Sequence, residues 1–589
     1  MAAIALAPVV SLGGSPLSAA WLEALVELRV ERQFSLPGRV TLRFSDPGYA
    51  LVDGQAITIG TAIKVADATN SAVLITAEAT SVAVEQRSRD QPELVVVGHD
   101  RSHRLGRSTG VQTFAQMSYS DVVTQLAGQA GLTPSVESTG ETFDYFMQAD
   151  TGLGMLSELA RRVGFDWWVD DTTLYFKKPA AGATVKLAMP GDLRSLTVKA
   201  TGHSPDTFVV EGWDRTQQEL VTATAPASSA DAATLARSGL ADQARDRSAS
   251  FGTGTFTVTG LGAHTAAEAK TVGEALATRA AAAAVSIQGL TDGNAAIVPG
   301  AVVDISGAGR SVSGTYPVTR VEHILRPGPG FVTRFSGGDR TPTTLVDTLA
   351  GGRVNASPTH SHPGLVVGVV TNIDQSTGQV KVRYPGLSAE YETGWARVVA
   401  IGGGAARGGV FIPEIEDEVL VAFEGGDPRQ PVVIGGLYGA KSTLPTSTTI
   451  TDGKVENRGM TSRLGHSVML LDGTDPAKQA VELGLAGGEH IVHMGKDKMT
   501  ITVPSGYEFS ITAGDSSITI GTDGAIAVNA PKITLTGEQA VNASAAQIKI
   551  AADTQLDLEG QAQASLKGAM VQIQAEGPLQ AKGEPVMIN

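Results

Sequence analysis

The stretch Ser517-Ile-Thr-Ile-Gly-Thr-Asp-Gly-Ala-Ile-Ala-Val-Asn-Ala-Pro-Lys-Ile-Thr-Leu535 carries apolar side chains in pairs two positions apart, at Ile518/Ile520, Ile526/Val528 and Ile533/Leu535. A spacing of two puts both members of a pair on one face of an extended strand, and Gly521-Thr-Asp-Gly524 supplies a turn between pairs. The pattern continues outward in both directions, at Ile501/Val503, Phe509/Ile511, Val541/Ala543, Ile548/Ile550, Leu556/Leu558, Ala564/Leu566 and Val571/Ile573, returning every seven to nine residues. This is a repeat array of short strands. No aromatic residue follows Phe509, so one copy of the ribbon has a thin apolar edge and no thick core to bury it. Burial requires partners. The economical solution is three chains about one axis, as a β-prism or triple-stranded β-helix, which also leaves no free sheet edges along the shaft. The expected trimer core comprises Ile518, Ile520, Ile526, Val528, Ile533, Leu535, Ile548, Ile550, Leu556 and Leu558.

A chain of 589 residues exceeds one core and predicts roughly three to five domains. The absence of cysteine excludes disulfides and thiolate chemistry. Charged residues make up only 18%, which suits turn-rich β structure hidden in an assembly, and the net charge of −15 comes without a basic block for a phosphate backbone. Nucleic acid is therefore not an expected partner. No apolar run reaches 18 residues, and Met1-Ala-Ala-Ile-Ala-Leu lacks the positive segment of a secretory signal, which predicts assembly in the cytoplasm.

Towards the N-terminus, Val26, Leu28 and Val30 alternate with polar residues, and Val40, Leu42 and Phe44 do the same beyond a Pro37-Gly38 turn, predicting an antiparallel pair. Further strands are expected at 56–65, 72–84 and 94–97. Ser120 and Asp150 are read as caps of two helices ended by Gly131 and Gly164, followed by a hairpin in Phe165-Asp-Trp-Trp-Val-Asp-Asp-Thr-Thr-Leu-Tyr-Phe176. Trp167 and Trp168 offer a sugar platform in principle, but aromatics at a hairpin beside a helix more commonly pack a core. Thr265 and Glu268 have capping-box spacing, and a second β-rich unit occupies about 181–345.

Several motifs together resemble a known family. Val97-Gly-His-Asp-Arg-Ser-His-Arg-Leu105, the two helices, the Trp-rich hairpin, Val298-Pro-Gly-Ala-Val-Val-Asp304 and Gly314-Thr-Tyr-Pro-Val-Thr-Arg-Val-Glu-His323 resemble the hub of contractile-phage tail proteins and VgrG spikes, of the late control protein D type. Gly368-Val-Val-Thr-Asn-Ile-Asp-Gln-Ser-Thr-Gly-Gln-Val-Lys-Val-Arg-Tyr-Pro385, Trp395-Ala-Arg-Val398, the Gly426-Asp-Pro turn and the closing Gly435-Gly-Leu-Tyr438 resemble the baseplate V type OB domain of the same proteins. Read from the residues alone, this region gives five short strands, the number of a small OB barrel. Thr461-Ser-Arg-Leu-Gly-His-Ser-Val-Met-Leu-Leu-Asp472 resembles the start of their spike and is read here only as a turn and a strand.

The expected fold is mainly β: two hub β-barrels with inserted helices, an OB-fold barrel and a C-terminal trimeric β-helix or β-prism needle. The expected division is 1–180 and 181–345 for the hub, a 346–362 linker, a 363–440 collar, a 441–500 neck and a 501–589 spike. The resemblance implies a structural homotrimer that joins inner tube and baseplate proteins to a membrane-puncturing needle, with effector cargo and a target cell envelope as transient partners. It spans phage tails, type VI secretion systems and free phage-tail-like particles alike. It also implies a PAAR-type tip protein, for which Pro585, Val586, Met587, Ile588 and Asn589 are the expected docking platform.

No catalytic, cofactor or metal residues are expected. His360 and His362 have metal-like spacing, but they lie in a Ser/Thr/Pro-rich linker without a neighbouring carboxylate. Gly402-Gly-Gly-Ala-Ala-Arg-Gly-Gly409 lacks the Lys-Ser/Thr of a phosphate loop. Asp515, Asp523, Asp553, Asp557 and Glu559 offer carboxylates for an alternative reading, a tailspike enzyme degrading a surface glycan, but no aromatic platform accompanies them. Only a short connector follows Tyr438 and a short tail follows Ile573, which also argues against an enzymatic insert.

Overall fold

Alternation in the first hundred residues becomes a sheet because each strand has one apolar face to hide. The computed structural model describes residues 8–588 except 87–90, 111, 149–150, 260–261, 341–363, 387–391 and 446. The chain is mainly β and divides into two compact units, Met1–Thr443 and Leu444–Asn589.

In the first unit, Leu25–Gln33 pairs antiparallel with Arg39–Ser45, setting Leu28 opposite Leu42 and Val30 opposite Val40, all buried. Glu93–His99, Val73–Glu85 and Ala62–Ala66 extend this sheet on one side. On the other side Arg320–Arg326 pairs with Leu25–Gln33, and the sheet runs on through Gly330–Gly337, Val285–Asp292 and Leu193–Ala200. Strands from both β-rich regions thus share one sheet of eleven strands, yet two separate apolar cores form on it, one around Phe44 and Leu74, the other around Tyr316 and Phe335. His323 sits in the joining strand opposite Val30. It is buried, and burial followed by Arg32 pushes its pKa down to about 3, so it stays neutral.

Helix Tyr119–Gln129 is capped by Ser118, two residues before the expected cap: the Ser118 hydroxyl accepts from the Asp121 amide while the Asp121 carboxylate accepts from the Ser118 amide. Thr151 caps Gly152–Val163, and Asp150 lies outside the described residues. Gly164 ends that helix in the left-handed region, at φ 71°, where a side chain is disfavoured. The following hairpin pairs Asp166–Asp170 with Thr173–Lys177 and turns at Asp171-Thr172. Trp167 is sealed in the helical core and donates to the Ser157 hydroxyl at 3.2 Å, while Trp168 stacks flat on Tyr175 at 4.9 Å. The longest helix, Ala266–Ala283, packs on a separate three-stranded sheet through Ala269, Val272 and Leu276.

The collar strands are Val366–Ile373, Val380–Arg383, Arg397–Val398, Glu418–Phe423 and Pro431–Gly436. They form one five-stranded sheet, and a bridge from Val380 to Ala396 brings its first strand back to its last, closing a small barrel. Val370, Val382, Val419, Val421 and Val433 fill it. Gly368 is required inside this barrel: a Cβ there would lie 2.1 Å from a Val382 methyl.

The second unit opens with a short hairpin, Ile450–Thr451 with Lys454–Val455, and continues as a five-stranded antiparallel meander, Asn457–Thr461, Ser467–Leu471, Ala480–Gly484, Ile491–Gly495 and Met499–Thr502, where the sequence reading gave only a turn and a strand. A three-stranded sheet follows, Phe509–Ala513, Ser516–Ile520 and Ile526–Asn529. Beyond Asn529 the chain forms no further strand with itself among the described residues. It runs instead in short segments without assigned secondary structure, separated by bends at Pro531, Glu538–Gln539, Ala546, Asp553–Thr554, Gln561–Ala562, Ala569–Met570 and Glu576–Gly577.

Candidate functional site

Two arrangements stand out, one in each unit. The first is the apolar ladder of the second unit. In the sheet from Phe509 to Asn529, Ile518 lies opposite both Ile511 and Val528, and Ile520 opposite both Phe509 and Ile526, so the expected core residues share a face. That face is uncovered within the chain: Ile518 is 44% exposed, Ile526 69% and Val528 48%. Ile533, Leu535, Ile548, Ile550, Leu556 and Leu558 are likewise exposed, and each of their pairs falls on a segment between two of the regular bends. Half-burial of one such side chain is worth about 1 kcal/mol, so the ten positions hold on the order of 10 kcal/mol per chain that the lone chain leaves unused. Val586, Met587 and Ile588 are also exposed, and Asn589 lies outside the described residues.

The second arrangement joins collar and hub. The collar turn Asp427-Pro-Arg429 is held by the Asp427 carboxylate, which accepts from the Arg429 amide at 2.9 Å. Arg429 then extends into the hub, where its guanidinium donates to Glu268 at 2.9 Å, the Tyr119 hydroxyl at 3.2 Å, the Gly262 carbonyl at 2.5 Å and Asp427 at 2.8 Å. The Phe143 and Phe146 rings lie 5.4 and 5.6 Å from it. Arg162 reaches Glu268 at 3.5 Å and Glu158 at 2.9 Å, and the His264 ring contacts Asp427 at 3.2 Å. Arg429, Glu268 and Asp427 are all buried. Burial alone would push the carboxyl groups up, but Arg429, aided by His264 at Asp427 and by Arg162 at Glu268, outweighs it and holds both below the usual carboxylate range. Gly262 permits this approach: a Cβ there would lie 2.2 Å from Asp427. Beside the charges, Tyr145 and Met147 of the hub strand Thr142–Gln148 enter the collar core with Val370 and Tyr384.

The sequence reading missed this joint. Its signal was present in separate pieces: the Gly426-Asp-Pro turn, the Thr265/Glu268 spacing and the helix after Ser118. Glu268 does not complete the expected box, since its carboxylate accepts from the His264 amide, one residue before the Thr265 cap.

The metal and sugar readings find no assembled site. His360 and His362 lie outside the described residues, and no group of three metal-ligating side chains occurs among the described ones. Trp168 borders a cavity of about 450 Å³ with Phe34, Arg32 and Lys177, but one face of its ring is taken by Tyr175.

Residues 366–438 match the family described as the type VI secretion system/phage-baseplate injector OB domain, and residues 49–326 match the Alg8 N-terminal domain. Over 72 residues the chain is 39% identical to the type VI secretion system spike protein VgrG3 of Vibrio cholerae, covering 12% of this chain and 7% of that one. Over 72 residues it is 42% identical to the spike protein VgrG5 of Pseudomonas aeruginosa, covering 12% and 9%. The chain thus matches less than a tenth of the length of these curated relatives. Among solved structures, the E. coli c3393 protein, described as a component of the type VI secretion system, aligns at 14% identity over 70% of this chain and 96% of that one, with a TM-score of 0.46. Residues 366–438 therefore carry the injector OB domain of type VI secretion systems and phage baseplates, and the chain is VgrG-like, similar there to their spike proteins.

Proposed function

We propose that this chain is the structural central spike of a contractile injection system. The observation that carries the reading is the collar identity with two spike proteins of type VI secretion systems. In this reading three chains assemble, in the cytoplasm, into part of a phage-tail-like particle. The hub (1–180 and 181–345) meets inner tube and baseplate proteins, the linker (346–362) leads to the collar (363–440), and the neck (441–500) leads to the spike (501–589). Contraction drives the spike through a target envelope with effector cargo and delivers it outside the producing cell. The polypeptide itself is not an enzyme, and it needs no cofactor, metal or nucleic acid.

The exposed ladder supports the trimer: roughly 10 kcal/mol per chain is about 30 kcal/mol over three chains, which matches or exceeds the cost of two associations, about 8–30 kcal/mol. The exposed Val586 and Ile588 support a docking platform at Pro585–Asn589 for a PAAR-type tip protein. Sedimentation at micromolar concentration tests the reading. The full-length chain is expected at three times the monomer mass, and a form without residues 501–589 is expected to keep hub and collar folded while losing most of the trimer. A full-length monomer overturns it.

A further inference from the structure

The Arg429 cluster is a buried network of several charged groups. It lies at the contact between two separately cored modules, the collar barrel and the helical part of the hub. One collar side chain there ties together three hub elements: the start of helix Tyr119–Gln129, the Gly262–His264 segment and the start of helix Ala266–Ala283. The charges balance, with Arg161, Arg162 and Arg429 set against Glu158, Glu268 and Asp427.

Such a network discriminates between docked positions more sharply than an apolar contact does. Apolar surfaces tolerate sliding by a few ångström. A guanidinium buried away from its carboxylates, or carboxylates buried without it, is heavily penalised. The planar fork adds direction, because donors on both terminal nitrogens are satisfied by acceptors on different hub elements. The apolar part of the contact, Tyr145 and Met147 within the collar core, supplies adhesion, and the charges supply the register.

We propose that Arg429 is the key of a buried lock that fixes the collar barrel on the hub in one orientation, so that the two modules move as one body. Arg429 acts through Glu268, Asp427 and Tyr119 and is a positioning residue. The consequence that thrust passes from hub to collar without loss to hinge motion rests on the spike reading above; the lock itself does not.

The test is hydrogen exchange on the full-length protein and on Arg429→Met, which keeps much of the side-chain volume and removes the charge. Exchange is expected to rise about 100-fold at Tyr119–Gln129, at 262–268 and at 427–430, while the collar strands Val366–Ile373 and Glu418–Phe423 keep their protection. Pairing Arg429→Met with Asp427→Asn is expected to recover part of the loss, because one uncompensated buried charge is removed. Unchanged exchange at the docking face overturns the lock. So does loss of protection throughout the collar, since Arg429 would then serve only the barrel's own folding. The same lock intact in a chain that sediments as a monomer would refute the spike reading and leave this one standing.

Discussion

Phe44, Trp167 and Val421 are sealed within the first unit, whereas Ile518, Ile533 and Leu558 of the second stay 44%, 52% and 80% exposed. The difference lies in how each region can close on itself. In the first unit, strands of up to thirteen residues find partners within the chain and stack apolar faces against helices or across a barrel. In the second, beyond Asn529, a bend every seven or eight residues turns the chain before any strand can fold back on its neighbour. The apolar pairs have regular spacing and stay exposed within the chain. In the spike reading proposed above, a region of this kind is half of an interface whose partner of matching period is a further copy of itself.

The sharpest way to break that contrast is to charge the ladder. Ile548→Asp with Ile550→Asp would place several carboxylates in the expected three-chain core, and desolvation costs of several kcal/mol per ion exceed the roughly 1 kcal/mol each isoleucine contributes. The expected outcome is loss of the trimer by sedimentation with unchanged melting of hub and collar. Melting of the first unit altered together with the assembly would mean that the two regions are not independent.

A smaller effect is expected at the exposed positions that lie outside the ten-residue core. Val586→Asp with Ile588→Asp should spare the trimer and lower the occupancy of a tip protein on purified particles, with injection activity falling in step. Normal tip occupancy in that variant would remove these residues from the docking platform.

The smallest expected effect is that of mild acid on the collar joint. Asp427 and Glu268 have folded-state pKa values below their ordinary ones, so their contribution is fully present above the ordinary carboxylate range and is lost only as pH falls through the lowered values. The groups that face them do not reverse this sign: Arg429, Arg162 and Arg215 bring positive charge, while His264 and the Tyr119 hydroxyl offer hydrogen bonds to the charged carboxylates. Protection at the joint should therefore be unchanged from pH 7 to about 4 and weaken only below it. A joint that opens well above pH 4 would remove the carboxylates from control.

Much of this molecule is written locally. Two-residue spacing marks collar strands such as Val366–Ile373 and Glu418–Phe423, because an apolar-polar alternation has only one way to lie on a half-buried strand. Gly164 and the Asp171-Thr172 turn are equally local: the left-handed backbone at Gly164 and Asp171 involves only neighbouring residues. Ser118 displaces Ser120 as the cap because hydroxyls two residues apart compete for the same free amides, and only the reciprocal bond to Asp121 decides between them. Meander strands such as Asn457–Thr461 and Ser467–Leu471 were less legible, being five residues long and too short for alternation to stand out.

The sequence by itself determined the mainly β composition, the five collar strands and the period of the apolar ladder, because each depends on residues within a few positions of one another. Only the tertiary structure decided that Leu25–Gln33 pairs with Arg320–Arg326, nearly three hundred residues away, and so joins the two β-rich regions in one sheet. Only the tertiary structure brought Arg429 to Tyr119 and Glu268. A buried ion network has no period and no preferred spacing; its members are chosen by where the folded elements leave a charge in need of a partner, and that position exists only once the hub and the collar barrel have both formed.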